Sequence, residues 1–258
     1  MLMRAVLSGR VKPPRRLLTW PGTCAICKET RGSARTVYIE KGPWPRDDLR
    51  CLRCLSIPRE RCLFEVLAQF RSDWRALDIH ESSPGRRGAS SALSAAPGYS
   101  SSQYLDDTPL GAEVNGVRCE DLSRLTFADE TFDLLVTQDV LEHVFKPEKV
   151  LAEIFRVLKP GGAHIATFPW YPQLAATRER ASLTDAGVVH NLEPQYHRSP
   201  VNGGASLVTL DWGADLFDRA SDAGLDLTVH KLPQERKRGI DGEFREVFVF
   251  TRPADKTA

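Results

Sequence analysis

Apolar and polar positions along the chain change period repeatedly. ERCLFEVLAQF, residues 60–70, has the spacing of an amphipathic helix. FDLLVTQ, residues 132–138, is a nearly continuous apolar run with polar residues on either side, the mark of a central strand buried on both faces. PEKVLAEIFRVL, residues 147–158, returns to helical spacing, with Pro147 suited to the first turn and KPGG ending the helix. RALDI at 75–79, GYSSSQYL at 98–105 and AHIATFP at 163–169 predict further strands, and GADLFDRASDAG at 213–224 another helix followed by glycine. LDLTVHKL and REVFVFTR predict the last two strands, joined as an antiparallel hairpin. Strands alternating with helices in this way predict an α/β, doubly wound sheet.

The 258 residues suffice for one large domain and a small one, and 41% hydrophobic with 27% charged residues is ordinary for a globular protein. No apolar run reaches the ~18 residues of a membrane span. The basic opening stretch lacks the long apolar core of a secretory signal, so the expected location is cytoplasmic. The net charge of +1 conceals an asymmetry. Residues 1–75 hold 16 Lys+Arg against 7 Asp+Glu, a net of +9, and the rest of the chain carries −8. A basic front on an acidic body suits contact with RNA or a phosphorylated substrate, and equally suits attraction between the two parts.

Four of the six cysteines form two CxxC pairs, Cys24 with Cys27 and Cys51 with Cys54, separated by 23 residues. Two such turns supply four thiolates for a tetrahedral, structural zinc with a closed shell. A redox CxxC needs only one pair, and disulfides need an oxidising compartment. The expected layout is a basic tail over 1–19, a zinc-binding module over 20–58 with VYIE as a short strand, and the α/β domain over 59–258. Cys62 and Cys119 are expected as small buried hydrophobes.

The stretch CEDLSRLTFADETFDLLVTQDVLEHVFKPEKVLAEIFRVLKPGGAHIATFP resembles class I S-adenosylmethionine-dependent methyltransferases of the type 11 kind. The resemblance implies a Rossmann-like, seven-stranded methyltransferase sheet, S-adenosylmethionine as cofactor and methyl transfer as the activity. It also implies that Asp121 accepts from the adenine amino group beside the backbone N–H of Leu122, and that Gln138 and Asp139 line the site at the exit of the central strand. Two positions depart from the family pattern. His80, Glu81, Ser82 and Ser83 stand where the glycine-rich turn is expected, with the two serines and Glu81 as substitute contacts to the methionine moiety. Gln103 and Tyr104 stand where an acid usually holds the ribose. Cofactor binding through substituted contacts and a scaffold that has lost the cofactor both stay open.

Residues 169–212 form an unusually long connection, the expected lid or recognition element. It contains His190, Tyr196 and His197, and with His143 of LEHV these are the candidates for accepting a proton from a nucleophile. A metal on His143, His190 and His197 lacks ligand spacing in the sequence. The expected acceptor is an O or N atom of a small molecule, a saccharide or nucleotide-linked sugar. RNA docked on the basic module, and a non-catalytic binding protein, are the alternatives. The sequence carries no sign of oligomeric state.

Overall fold

The structure, a computed structural model, describes residues 16–28, 30, 33–37, 49–198 and 204–254. The basic tail up to residue 15 and the YIE of the expected VYIE strand lie outside them. Its centre is the run that the apolar pattern marked most strongly. Strand β8 (Phe132–Gln138) is flanked in parallel by β4 (Ile79–Ser82) and β9 (Leu158–Thr167). Beyond β4 come β5 (Tyr99–Gln103), β7 (Val117–Cys119) and the two-residue edge strand β6 (Glu113–Val114). Beyond β9 come β17 (Glu246–Thr251) and β16 (Asp226–Lys231) as the antiparallel closing hairpin. The order β16-β17-β9-β8-β4-β5-β7-β6 is the expected seven-stranded arrangement plus one short edge strand.

Period-two alternation sends each strand's side chains into two separate cores. Leu134, Val136, Ile165, Val247 and Val249 pack with Leu63 and Leu67 of helix α1 (Pro58–Phe70) and Leu93 of helix α2 (Gly88–Leu93). Leu135, Ala166, Phe248 and Phe250 pack on the other face with Leu151 and Ile154 of helix α3 (Pro147–Val157) and Leu216 of helix α4 (Leu216–Asp222). The result is helix, sheet, helix, the layering of a Rossmann-like doubly wound fold. Among the described residues, no helix is long and apolar enough to cross a membrane.

Two expectations shift. Helix α3 stops at Val157, and β9 starts at once with Leu158, so KPGG lies within the strand. The register slips between Phe132 and Leu134, a bulge that Gly162 permits, since a Cβ there would lie 2.8 Å from the Lys159 carbonyl oxygen. The first strand also runs later than expected. Residues 74–76 form a 3₁₀ turn, and β4 takes up HES, which had read as a loop.

The described residues of the long connection include three small antiparallel ladders. Arg178–Glu179 (β10) pairs with Leu210–Asp211 (β15), Ala181–Thr184 (β11) with Gly187–His190 (β12), and Tyr196–Arg198 (β13) with Ala205–Leu207 (β14). In front of the domain, Arg16–Trp20 (β1), Ser33–Val37 (β2) and Leu49–Cys51 (β3) form a three-stranded antiparallel sheet. A fully buried guanidinium ties this sheet to the large domain. Arg61 of α1 donates to the carbonyls of Leu49 (2.7 Å), Ser56 (2.5 Å) and Gly239 (2.6 and 2.8 Å).

Candidate functional site

In open α/β sheets ligands bind outside the carboxyl ends of the parallel strands. Here that edge is formed by the ends of β4, β5, β7 and β8. The turn after β4 begins at Ser83, which has φ of +57°, and reaches α2 through Gly85 and Gly88. The turn thus lies about three residues later than the sequence suggested. Gly88, at φ +55°, is held against the module: its N–H donates to the Cys54 carbonyl (3.2 Å), and a Cβ would meet the Glu60 carboxylate and the Ser56 backbone.

His80, expected at the cofactor, is a core residue. Its ring is fully buried, hydrogen-bonded to the hydroxyls of Ser100 and Ser102 (2.9 Å each) and stacked on Phe132. Burial lowers its pKa to about 4, so the ring is neutral. Glu81 is equally buried and is turned inward. Its carboxylate accepts from Ser90 Oγ (2.6 Å), Tyr99 Oη (2.9 Å) and Gln138 Nε2 (2.9 Å), which joins α2, β5 and β8. Burial pushes this carboxyl above its ordinary range, and the three donors pull against that. Ser82 is buried in β4, opposite Thr137. The sequence pattern missed this network because polar residues in a buried strand look like a loop until their partners are known.

At the far side of the edge, Asp121 Oδ1 accepts from Ser123 N and Ser123 Oγ (2.8 Å each), an Asx turn that leaves Oδ2 available to accept. Leu122 is buried beside it. Gln103 ends β5 half-buried, and Tyr104 is exposed. Near β8, Gln138 Oε1 is buried and has no hydrogen-bond donor. Asp139, at φ +53°, pairs with Arg59 of α1 at 3.0 Å. Arg59 was not anticipated; its position in the first turn of α1, in IPRERC, was the available signal.

The histidines separate into two groups. His190 lies exposed on the β11–β12 hairpin, opposite Ala181. Tyr196 is also exposed, and strand alternation turns it away from His197. His143 and His197 meet, with rings 5.2 Å apart and perpendicular. Glu142, another residue the sequence reasoning passed over, lies between them. It is fully buried, and neither carboxylate oxygen has a hydrogen-bond partner among the described residues.

The cysteine expectation is matched in geometry. All four ligand sulfurs lie within 4.8 Å of one another. Cys24 Sγ is 3.7 Å from Cys54 Sγ, and Cys27 Sγ is 3.6 Å from Cys51 Sγ. A tetrahedron with bonds of about 2.3 Å has edges of about 3.8 Å, whereas a disulfide needs about 2.05 Å. The residue after each pair, Lys28 and Leu55, has positive φ, and Arg53 N–H donates to Cys51 Sγ at 3.4 Å, so the two turns are built alike at their ends. Cys62 is buried, its thiol pushed up to about 12, and Cys119 is buried too; neither is set up as a nucleophile.

A family model described as a methyltransferase domain matches residues 100–166. No curated protein matches the sequence. Among solved structures, an S-adenosylmethionine-dependent methyltransferase from Mesorhizobium loti is 13% identical with a TM-score of 0.46, over 74% of this chain and 97% of that one. An amino pentose methyltransferase from Micromonospora echinaspora is 13% identical with a TM-score of 0.48, over 75% and 91%. A 1,6-didemethyltoxoflavin-N1-methyltransferase from Burkholderia thailandensis is 14% identical with a TM-score of 0.46, over 76% and 79%.

Proposed function

We propose that the protein transfers a methyl group from S-adenosylmethionine to an O or N atom of a small molecule, with a saccharide or nucleotide-linked sugar as the favoured acceptor. The observation that carries this is the match of residues 100–166 to a methyltransferase domain, a stretch that includes Asp121, Leu122, Gln138 and Asp139 at the carboxyl edge of the sheet. The residues at that edge fit the cofactor. Asp121 Oδ2 and the Leu122 N–H suit the adenine. The donorless Gln138 Oε1 suits an ammonium, and the Arg59–Asp139 pair offers one charge of each sign to the amino and carboxylate groups of a methionine moiety. Ser83 and Gly85 form the turn that backbone contact needs. His80 and Glu81 support that turn from beneath. The bound cofactor supplies an electron-poor methyl on a sulfonium. The chain's task is to align the acceptor opposite the sulfur, exclude water and take up the acceptor's proton. His143 and His197 stand beside the edge, where that proton has to be lost. His190 and Tyr196 face solvent and take no part in that step.

The four thiolates support a structural zinc, closed to water and with no part in the chemical step. It would hold the knuckle that Gly88 packs against, and so steady the cofactor turn. Calorimetric titration with S-adenosylmethionine and its demethylated product tests the reading. Binding of both in the micromolar range is expected. No heat at millimolar ligand would leave a scaffold that has lost the cofactor.

A further inference from the structure

We propose that Glu142, His143 and His197 form a second metal site, distinct from the cysteine cluster, for a divalent first-row cation. Residues 141–143 are a 3₁₀ turn just past the exit of β8, and the returning strand of the long connection locks it in place. Trp212 Nε1 donates to the Leu141 carbonyl at 3.0 Å, Thr209 N to the Glu142 carbonyl at 2.8 Å, and Thr209 Oγ1 to the Val144 carbonyl at 2.6 Å. His143 Nδ1 lies 2.7 Å from the Leu207 carbonyl oxygen. A carbonyl only accepts, so Nδ1 carries the proton and Nε2 presents a lone pair to the cluster. A backbone partner of this kind orients most metal-binding imidazoles.

That lone pair faces Glu142 Oε1 at 3.8 Å, and His197 Nδ1 faces the same oxygen at 3.5 Å. Both distances are long for hydrogen bonds. They are close to the separations of about 3–3.5 Å between ligands that share one cation at about 2.1 Å. The three ligand atoms lie within 4.8 Å of one another. The Glu142 side chain is 1% exposed, with no hydrogen-bond donor on either oxygen among the described residues, an arrangement that favours a cation beside the carboxylate. Two imidazoles and one carboxylate suit Mn²⁺, Fe²⁺, Co²⁺ or Zn²⁺ better than Ca²⁺ or Mg²⁺. Three protein ligands leave positions open, and the rings of His143 and His197, 19% and 31% exposed, give access from solvent. Those open positions would hold oxygen atoms of a methyl acceptor and lower the pKa of a bound hydroxyl. This role rests on the methyl-transfer reading; the metal site does not.

The test is a Co²⁺ titration of the full chain with its cysteines already loaded with zinc, followed by visible absorption and elemental analysis. The expected result is one Co²⁺ per chain beside one zinc, with d–d bands and no near-ultraviolet thiolate charge transfer. His197→Ala, on a half-exposed strand, and the near-isosteric Glu142→Gln should each weaken Co²⁺ binding roughly tenfold or more. Wild-type protein that takes up no Co²⁺ at millimolar concentration, or a folded His197→Ala variant that binds it unchanged, overturns the site. S-adenosylmethionine titration of the same samples reports separately on the methyltransferase reading.

Discussion

Glu81 and Glu142 are both buried carboxylates at the carboxyl edge of the same sheet, and they are kept in opposite ways. Glu81 accepts from three donors on three different elements. Glu142 has two imidazoles beyond hydrogen-bonding reach and no donor at all. A satisfied buried network fixes one arrangement of its elements, whereas an unsatisfied one is stable only if something else supplies the missing partner. His80 and Glu81, beneath the turn after β4, are therefore architecture, and the segment after β8 holds open binding capacity.

Glu81→Ala should have the largest effect. It strands Ser90, Tyr99 and Gln138, and about 3 kcal/mol of stability should be lost in urea unfolding. A loss under 1 kcal/mol would mean that Glu81 does not organise the turn. The second test uses His80, whose pKa in the folded state is lowered from 6.5 to about 4. A depressed histidine contributes stability that is complete above its unfolded pKa and is lost as pH falls towards the folded one. Between pH 7 and pH 5, His80 should cost about 2 kcal/mol. His164, lowered to about 3 by burial, should add a similar loss. The pH difference should shrink in His80→Asn, and an unchanged difference would show the ring is not buried neutral. Third, Asp121→Ala should weaken S-adenosylmethionine binding by about 1.4 kcal/mol, or tenfold, as read by calorimetry. Wild-type affinity would move the adenine site elsewhere. The smallest effect belongs to Glu142→Gln without metal. Removing a charge that has no donors should leave stability within ~1 kcal/mol of wild type or raise it. A loss like that of Glu81→Ala would erase the contrast between the two acids.

Helices α1, α3 and α4, the central strand and the closing hairpin were legible from apolar spacing, whereas α2, the short GASSAL helix, was not. The cysteine module was legible from two short intervals. The turn after β4 was misplaced because IHES has no apolar alternation: His80 is satisfied by Ser100 and Ser102, and Glu81 by Ser90, Tyr99 and Gln138, partners that only the folded sheet reveals. The long connection offered His190, Tyr196 and His197 as a group because they are close in sequence. A two-residue period then separates Tyr196 from His197, and a hairpin carries His190 to solvent. Glu142 was visible beside His143 throughout, but a carboxylate after an apolar strand gives no sequence signal that its oxygens lack donors.

Arg61 also constrains the order of events during synthesis. Its guanidinium closes on the Gly239 carbonyl, 178 positions further along the chain. While the intervening residues are still being added, this cation has the Leu49 carbonyl and the carbonyl and hydroxyl of Ser56 as partners, without Gly239. The cysteine turns can gather locally and early, but their seat on the large domain waits for the connection between the last two strands. Folding of this chain should therefore end where it began, with a late, long-range docking step that slows as the separation of its partners demands.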